Sequence, residues 1–91
     1  MSGGIPPRAE IEFPVTWRFR IIVEAARSDE AVPLLREVLL AAGKPAELEP
    51  GRVSAGGRYV TWEVETQLLD RRELEELPVR LCAVAGVKTV L

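Results

Sequence analysis

Phe13-Pro14-Val15-Thr16-Trp17-Arg18-Phe19-Arg20-Ile21-Ile22-Val23-Glu24 carries large apolar side chains at its odd positions from Val15 to Val23. Polar ones stand at Thr16, Arg18, Arg20 and Glu24, and only Ile22 breaks the alternation. Successive side chains of a strand point to opposite faces of the pleat, so this pattern marks a strand with one buried face. We read it as a central strand of a sheet covered on one side. Pro14, which has no N–H for a ladder, fits only at the strand's first residues.

Tyr59–Thr66 alternates in the same way, with Val60, Trp62 and Val64 on one side and Tyr59, Thr61, Glu63 and Glu65 on the other. It is the second central strand. Between the two lies a helical stretch in which Ala31, Leu34, Leu35, Val38, Leu39 and Ala42 share one face at three- and four-residue spacing. Ser28, Asp29 and Glu30 look like a helix start, but Pro33 would then cost an internal hydrogen bond. The regular helix is therefore expected from Val32 or Pro33, with Ser28–Ala31 as a preceding turn. Gly43 ends it and Pro45 prevents its resumption.

Ala46–Val53 is read as an irregular strand broken at Pro50-Gly51, hence an edge strand. Ser54-Ala55-Gly56-Gly57-Arg58 is a glycine turn between two extended runs, hence a hairpin. Asp70-Arg71-Arg72-Glu73 has the spacing of a capping box and predicts a second helix, with Leu74, Leu77, Leu81 and Val84 as its apolar stripe and Pro78 within it. Gly86 closes that helix, and Val87–Leu91 forms a short last strand. The order strand, helix, strand, strand, helix, strand predicts a ferredoxin-like βαββαβ α+β sandwich, a four-stranded antiparallel sheet with two helices on one face. Val15-Thr16-Trp17 recurs as Val60-Thr61-Trp62, and the same offset pairs Pro33 with Pro78. The repeat is suggestive of a duplicated half.

Ninety-one residues, 47% of them apolar and 29% charged, suit one ordinary globular domain. Met1–Glu10 contains Gly-Gly and Pro-Pro and lacks periodicity, so we expect a loose arm over residues 1–11 and a single domain over 12–91. That segment lacks the apolar stretch of a signal peptide, and no run approaches the roughly 18 apolar residues of a membrane span. A cytoplasmic location is the default expectation, with no membrane partner.

A single cysteine and no histidine argue against an internal disulfide and against a metal site. No cofactor is expected. Twelve basic and fourteen acidic residues, spread evenly along the chain, give a net charge of −2. That is the wrong sign for nucleic acid.

Arg18 and Arg20 share a sheet face with Glu63 and Glu65, which reads as cross-strand ion pairing before it reads as a charged site. The turn Ser54–Arg58 is the best ligand candidate, because its backbone N–H groups could face an anion with help from Arg58. Ser54, Gly56, Gly57, Arg58 and Tyr59 are the candidate binding residues, although such hairpins are more often only turns. Cys82 lies beside the apolar stripe of the second helix and is expected to be partly buried, with no histidine to activate it. Trp17 and Trp62 face inward, as core.

Glu12-Phe13-Pro14 before an aromatic strand, the Ser-x-x-Gly-x-Tyr turn of Ser54, Gly57 and Tyr59, and the terminal Val87-Lys88-Thr89-Val90-Leu91 resemble the YbeD-like family of small bacterial proteins. The resemblance covers about Glu12–Leu91. It implies a ferredoxin-like fold close to the ACT regulatory domains, a cytosolic bacterial setting and no established enzymatic activity. Pro78 and Pro50-Gly51 depart from the family pattern. The family has no agreed functional residues to carry over.

The function expected is a small non-enzymatic regulatory or protein-interaction domain acting on an unidentified partner protein or small-molecule effector, as a monomer or weak homodimer. The alternative is a small-molecule or anion binder using the 54–58 turn or a dimer groove. An acyl-phosphate hydrolase of similar topology would rely on an asparagine, and the chain has none. Because Met1–Glu10 offers no periodic apolar side chains, deleting these ten residues should leave the melting temperature nearly unchanged in a calorimetric scan. A loss of several degrees would show that they dock on the domain.

Overall fold

The computed structural model describes residues 11–91. The arm expected over Met1–Glu10 lies outside the described residues. Ile11 and Phe13 already pack against the core. The elements are β1 (Val15–Glu24), a 3-10 turn (Ala25–Arg27), α1 (Ser28–Ala41), β2 (Glu49–Val53), β3 (Tyr59–Leu68), α2 (Arg71–Cys82) and β4 (Val87–Val90). The sheet order is β2-β3-β1-β4 with every neighbouring pair antiparallel, which is the ferredoxin-like α+β sandwich.

The two alternating stretches are the central pair. They lie opposite one another without a slip from Val15↔Leu68 to Glu24↔Tyr59. Phe19 and Val64, which stand at the offset of the sequence repeat, face each other directly. Both are fully buried, together with Ile21, Val23, Leu68, Leu35, Leu39 and Leu81. Trp17 and Trp62 also face inward, but at the rim of the core and only partly covered.

α1 starts at Ser28, four to five residues earlier than Pro33 suggests. Pro33 withholds the N–H that Asp29 would accept, a loss of up to about 3 kcal/mol in a helix interior. Tertiary contacts offset it. Ala31 and Val32 are buried on the sheet, and burying a valine-sized side chain contributes about 1.5–3 kcal/mol. The indole Nε1–H of Trp62 donates to Ser28 Oγ at 2.8 Å. Ser28 is thus held by the sheet and does not cap the helix. Val32 faces the core, whereas Leu34, expected on the apolar face, is 42% exposed. At the other end Gly43 has φ 75°, and the N–H groups of Gly43 and Lys44 donate to the carbonyls of Leu40 and Leu39. This is a Schellman closure, in which glycine takes the left-handed conformation without steric cost.

Immediately after that closure, Lys44 is buried at 8% exposure. Its ammonium donates to the Gln67 carbonyl at 2.9 Å and to Glu73 Oε1 at 2.7 Å. The same Glu73 oxygen accepts the Leu69 N–H at 2.7 Å, while Asp70 Oδ1 accepts the Glu73 N–H at 2.9 Å. Asp70 is the expected cap of α2, but Glu73 reaches past it to the preceding residue. One corner therefore ties the exit of α1, the end of β3 and the start of α2. Leu74, Leu77 and Leu81 form the buried stripe of α2. Cys82, expected to be partly covered, is exposed, because one residue beyond Leu81 the helix has turned about 100° away from the sheet.

Thr66 is an inward position of β3, opposite Trp17 and 3% exposed, and its Oγ1 has no hydrogen-bond partner among the described residues. An unsatisfied buried hydroxyl costs about 1–3 kcal/mol. Thr66→Val should therefore raise stability by about 1 kcal/mol, read as a higher urea midpoint at unchanged slope. A lower midpoint would show that the hydroxyl is satisfied.

The hydrogen bond from Leu69, then that from Lys44, holds the Glu73 carboxyl below the usual carboxylate range. The folded state then binds fewer protons than the unfolded chain. The resulting stability is complete above the ordinary glutamate range and is lost as pH falls through it toward the folded value. Glu73→Gln should be destabilising at neutral pH by urea denaturation. The difference from the parent should shrink toward pH 3, and a pH-independent difference would contradict the assignment.

Candidate functional site

The sheet face opposite the helices carries the even residues of β1 and the odd residues of β3. Across the central pair Arg18 stands opposite Glu65, Arg20 opposite Glu63, and Ile22 opposite Thr61. The apolar exception in the alternation, Ile22, is thus central to an otherwise polar surface.

Both edge strands break register at the level of Ile22. In β4, Thr89 pairs with Ile22 and Val87 with Val23, so Lys88 is an extra residue between them. In β2, Pro50 pairs with Trp62 and Val53 with Val60, so Gly51 and Arg52 together oppose Thr61. A bulge adds one residue to one strand and re-aims the side chains around it. The reason is visible in β4: strict alternation from Val90 would send Val87 outward and Lys88 into the core, whereas the bulge lets both valines pack against the core. In β2 the break falls at a glycine because a Cβ on Gly51 would lie 2.6 Å from Glu63 Oε2 and 3.2 Å from the Thr61 carbonyl oxygen.

Between the bulges the face is hollowed into two adjoining depressions of about 340 and 350 Å3 that share Ile22, Arg52 and Thr61. Arg20, Glu63 and Leu91 line the first; Ser54, Tyr59, Lys88 and Thr89 line the second. Together they form one trough from edge to edge. Its floor is Ile22, its hydroxyls come from Thr61, Thr89 and Ser54, and its cations are Arg20, Arg52 and Lys88.

Those cations differ from the others on this face. Arg18 Nε donates to Glu63 Oε1 at 2.7 Å, diagonally across the ladder, and its Nη1 lies 3.7 Å from Glu65. The Arg18 bond is also the main reason the Glu63 carboxyl titrates below the usual range. Ion pairing on the central strands thus forms at Arg18. Among the described residues Arg20, Arg52 and Lys88 have no carboxylate within ion-pair distance, and Lys88 Nζ sits 5.6 Å above the Tyr59 ring.

Of the residues singled out in the turn, Ser54 and Tyr59 line the trough, while Gly56, Gly57 and Arg58 are exposed at the hairpin tip outside it. The turn itself uses three of the six backbone donors from Ser54 to Tyr59. Ser54 N–H donates to the Tyr59 carbonyl, Gly57 N–H to the Ser54 carbonyl, and Tyr59 N–H to Ser54 Oγ. Sequence reasoning missed Arg20, Arg52, Thr61, Lys88 and Thr89 as partners in one site. The signal available was the three-residue spacing of Val87 and Val90, an odd spacing that puts them on opposite faces of a regular strand.

A further pocket of about 290 Å3 lies on the helix side, lined by Lys44, Asp70, Arg72, Glu76 and Arg80 among others. Its cations are neutralised, Lys44 by Glu73, and Arg72 and Arg80 by Glu76. Among the described residues no group of three or more acidic or cysteine side chains could hold a metal ion, and no helix is long and apolar enough to cross a membrane.

Comparison with known proteins places the chain. Residues 8–91 match the family described as Protein of unknown function (DUF493), and the chain belongs to it. This is the YbeD-like family that the Ser54–Tyr59 turn and the terminal strand resemble. Among curated proteins none matches. The solution structure of protein HP0495 from H. pylori is similar at 22% identity and a TM-score of 0.74, over 99% of this chain and 98% of that one. The C-terminal domain of the MgtC protein from Mycobacterium tuberculosis is similar at 13% identity and a TM-score of 0.65, over 89% and 88%. At these identities the likeness is one of fold.

Proposed function

We propose that this member of the family is a non-catalytic binding module whose working surface is the trough on the open sheet face, and that what it takes there is anionic. The observation that carries the reading is the set of cations with no carboxylate within ion-pair distance among the described residues, Arg20, Arg52 and Lys88, grouped around Ile22 and the Thr61 and Thr89 hydroxyls. Charge-assisted hydrogen bonds to arginine and lysine are about twice as strong as neutral ones, and hydroxyls beside them supply orientation. The carboxylate in the trough, Glu63, is held ionised by Arg18. The group set is suited to holding an anion and poorly suited to moving a proton. The resemblance to ACT regulatory domains agrees with a module that binds and reports. So does the likeness to the C-terminal domain of a larger protein.

The test is a titration of the 15N-labelled protein with succinate, followed by amide shifts at low and at physiological salt. Shifts should concentrate at residues 20–22, 52, 61 and 88–89, and weaken with added salt. Arg52→Ala and Lys88→Ala should each reduce affinity about tenfold, the loss of one charged hydrogen bond. Shifts scattered over the surface, or confined to the 290 Å3 pocket on the helix side, would overturn the reading.

A further inference from the structure

Resting on that reading, we infer that the anionic partner is an extended acidic peptide segment lying across the strands, with an apolar side chain over Ile22 and a carboxylate at each edge of the sheet, on Arg52 and on Lys88.

The geometry selects length and direction. Arg52 stands in the bulge of β2 and Lys88 in that of β4, with β3 and β1 between them at the same level. Three inter-strand steps of about 4.8 Å put their backbones about 14 Å apart. An extended peptide advances about 3.3 Å per residue, so carboxylates four residues apart span the same distance. The residue midway between them falls between Thr61 and Ile22, where its side chain can rest on the isoleucine. A partner built as acidic, any, apolar, any, acidic therefore meets a cation, an apolar floor and a second cation in turn. Thr61 and Thr89 flank Ile22 and offer hydroxyls to its backbone.

A compact dicarboxylate fits less well. Small-molecule sites usually cover most of their ligand, whereas this trough runs open to both sheet edges. A polynucleotide also fits less well. The row beside Ile22 sets Glu49 opposite Glu63 with Glu65 close by, carboxylates that a chain of phosphates would meet. Tyr59, the aromatic residue of the open face, already lies under Lys88, and single-strand binding relies on stacked bases.

Fluorescence anisotropy of a labelled Glu-x-Leu-x-Glu peptide against the full chain tests the inference. Binding should weaken at least tenfold when both glutamates are replaced by glutamine, and also when the leucine is replaced by glycine. The double variant Arg52→Glu, Lys88→Glu should lose the peptide and gain the Lys-x-Leu-x-Lys version. Both positions are exposed, and an unchanged melting temperature would confirm that the variant is folded. Succinate shifts in the trough without peptide binding would overturn this inference and leave the proposed function standing. Absence of both would overturn both. Tighter binding of a uridine oligonucleotide than of the peptide would overturn the peptide assignment in favour of a polyanion.

Discussion

Opposite charges, apolar packing and both edge bulges all take their positions from the ladder between β1 and β3. Its ten-residue register, Val15↔Leu68 to Glu24↔Tyr59, admits no slip. A one-residue shift would exchange the two faces of a strand, bringing Arg18 and Arg20 inward and Phe19, Ile21 and Val23 out. Burying an unpaired guanidinium while exposing three large apolar side chains costs more than a domain of this size has in total stability, about 5–15 kcal/mol. Register is therefore fixed by the difference between the faces. Once it is fixed, the placement of Arg18 within reach of Glu63, and of Ile22 beside Thr61, follows with no further specification.

The edge strands are under weaker control, and there the structure departs from regularity. Each meets the central pair on one side only. β2 is exposed along its whole length and β4 has four residues. The bulges resolve a local conflict in each, Val87 against Lys88 in one and Glu63 against Gly51 in the other. Because both conflicts fall at the level of Ile22, the cations freed from the regular pattern arrive at the two ends of one trough. Bulges and exposed lysine also blunt the edges against pairing with other chains, so the same devices serve protection and placement.

Short-range rules made much of this legible from residues alone. Alternation gave β1 and β3, Gly43 gave the end of α1, and Asp70 with Glu73 gave the start of α2. What was illegible depends on contacts distant in the chain. Pro33 argues locally for a late start of α1, and nothing near it reveals that Trp62 will hold Ser28 or that Val32 will be buried. The glycine turn at Ser54–Arg58 attracts a ligand reading because glycine exposes N–H groups, and the bonds that occupy the N–H groups of Ser54, Gly57 and Tyr59 form only when the hairpin closes. Arg52 and Lys88 lie in different strands at opposite edges, so their relation exists only in the folded sheet. Ile22 was visible from the beginning as an exception, and it is the floor of the candidate site.

The two helices begin differently, and this bears on the order of folding. α2 carries its own start signal in Asp70 and Glu73, whose bonds span three or four residues and can form in an isolated segment. α1 has no side-chain cap, and its first turn is fastened by an indole from a strand that follows it by more than thirty residues. Helix nucleation is the costly step, and a local cap lowers that cost where a distant one cannot. We expect α2 to order early and the first turn of α1 only after β1 and β3 have paired. In pulse-labelled hydrogen exchange during refolding, amides around 74–77 would then gain protection before those of Val32, Leu34 and Leu35, and the reverse order would exclude this sequence of events.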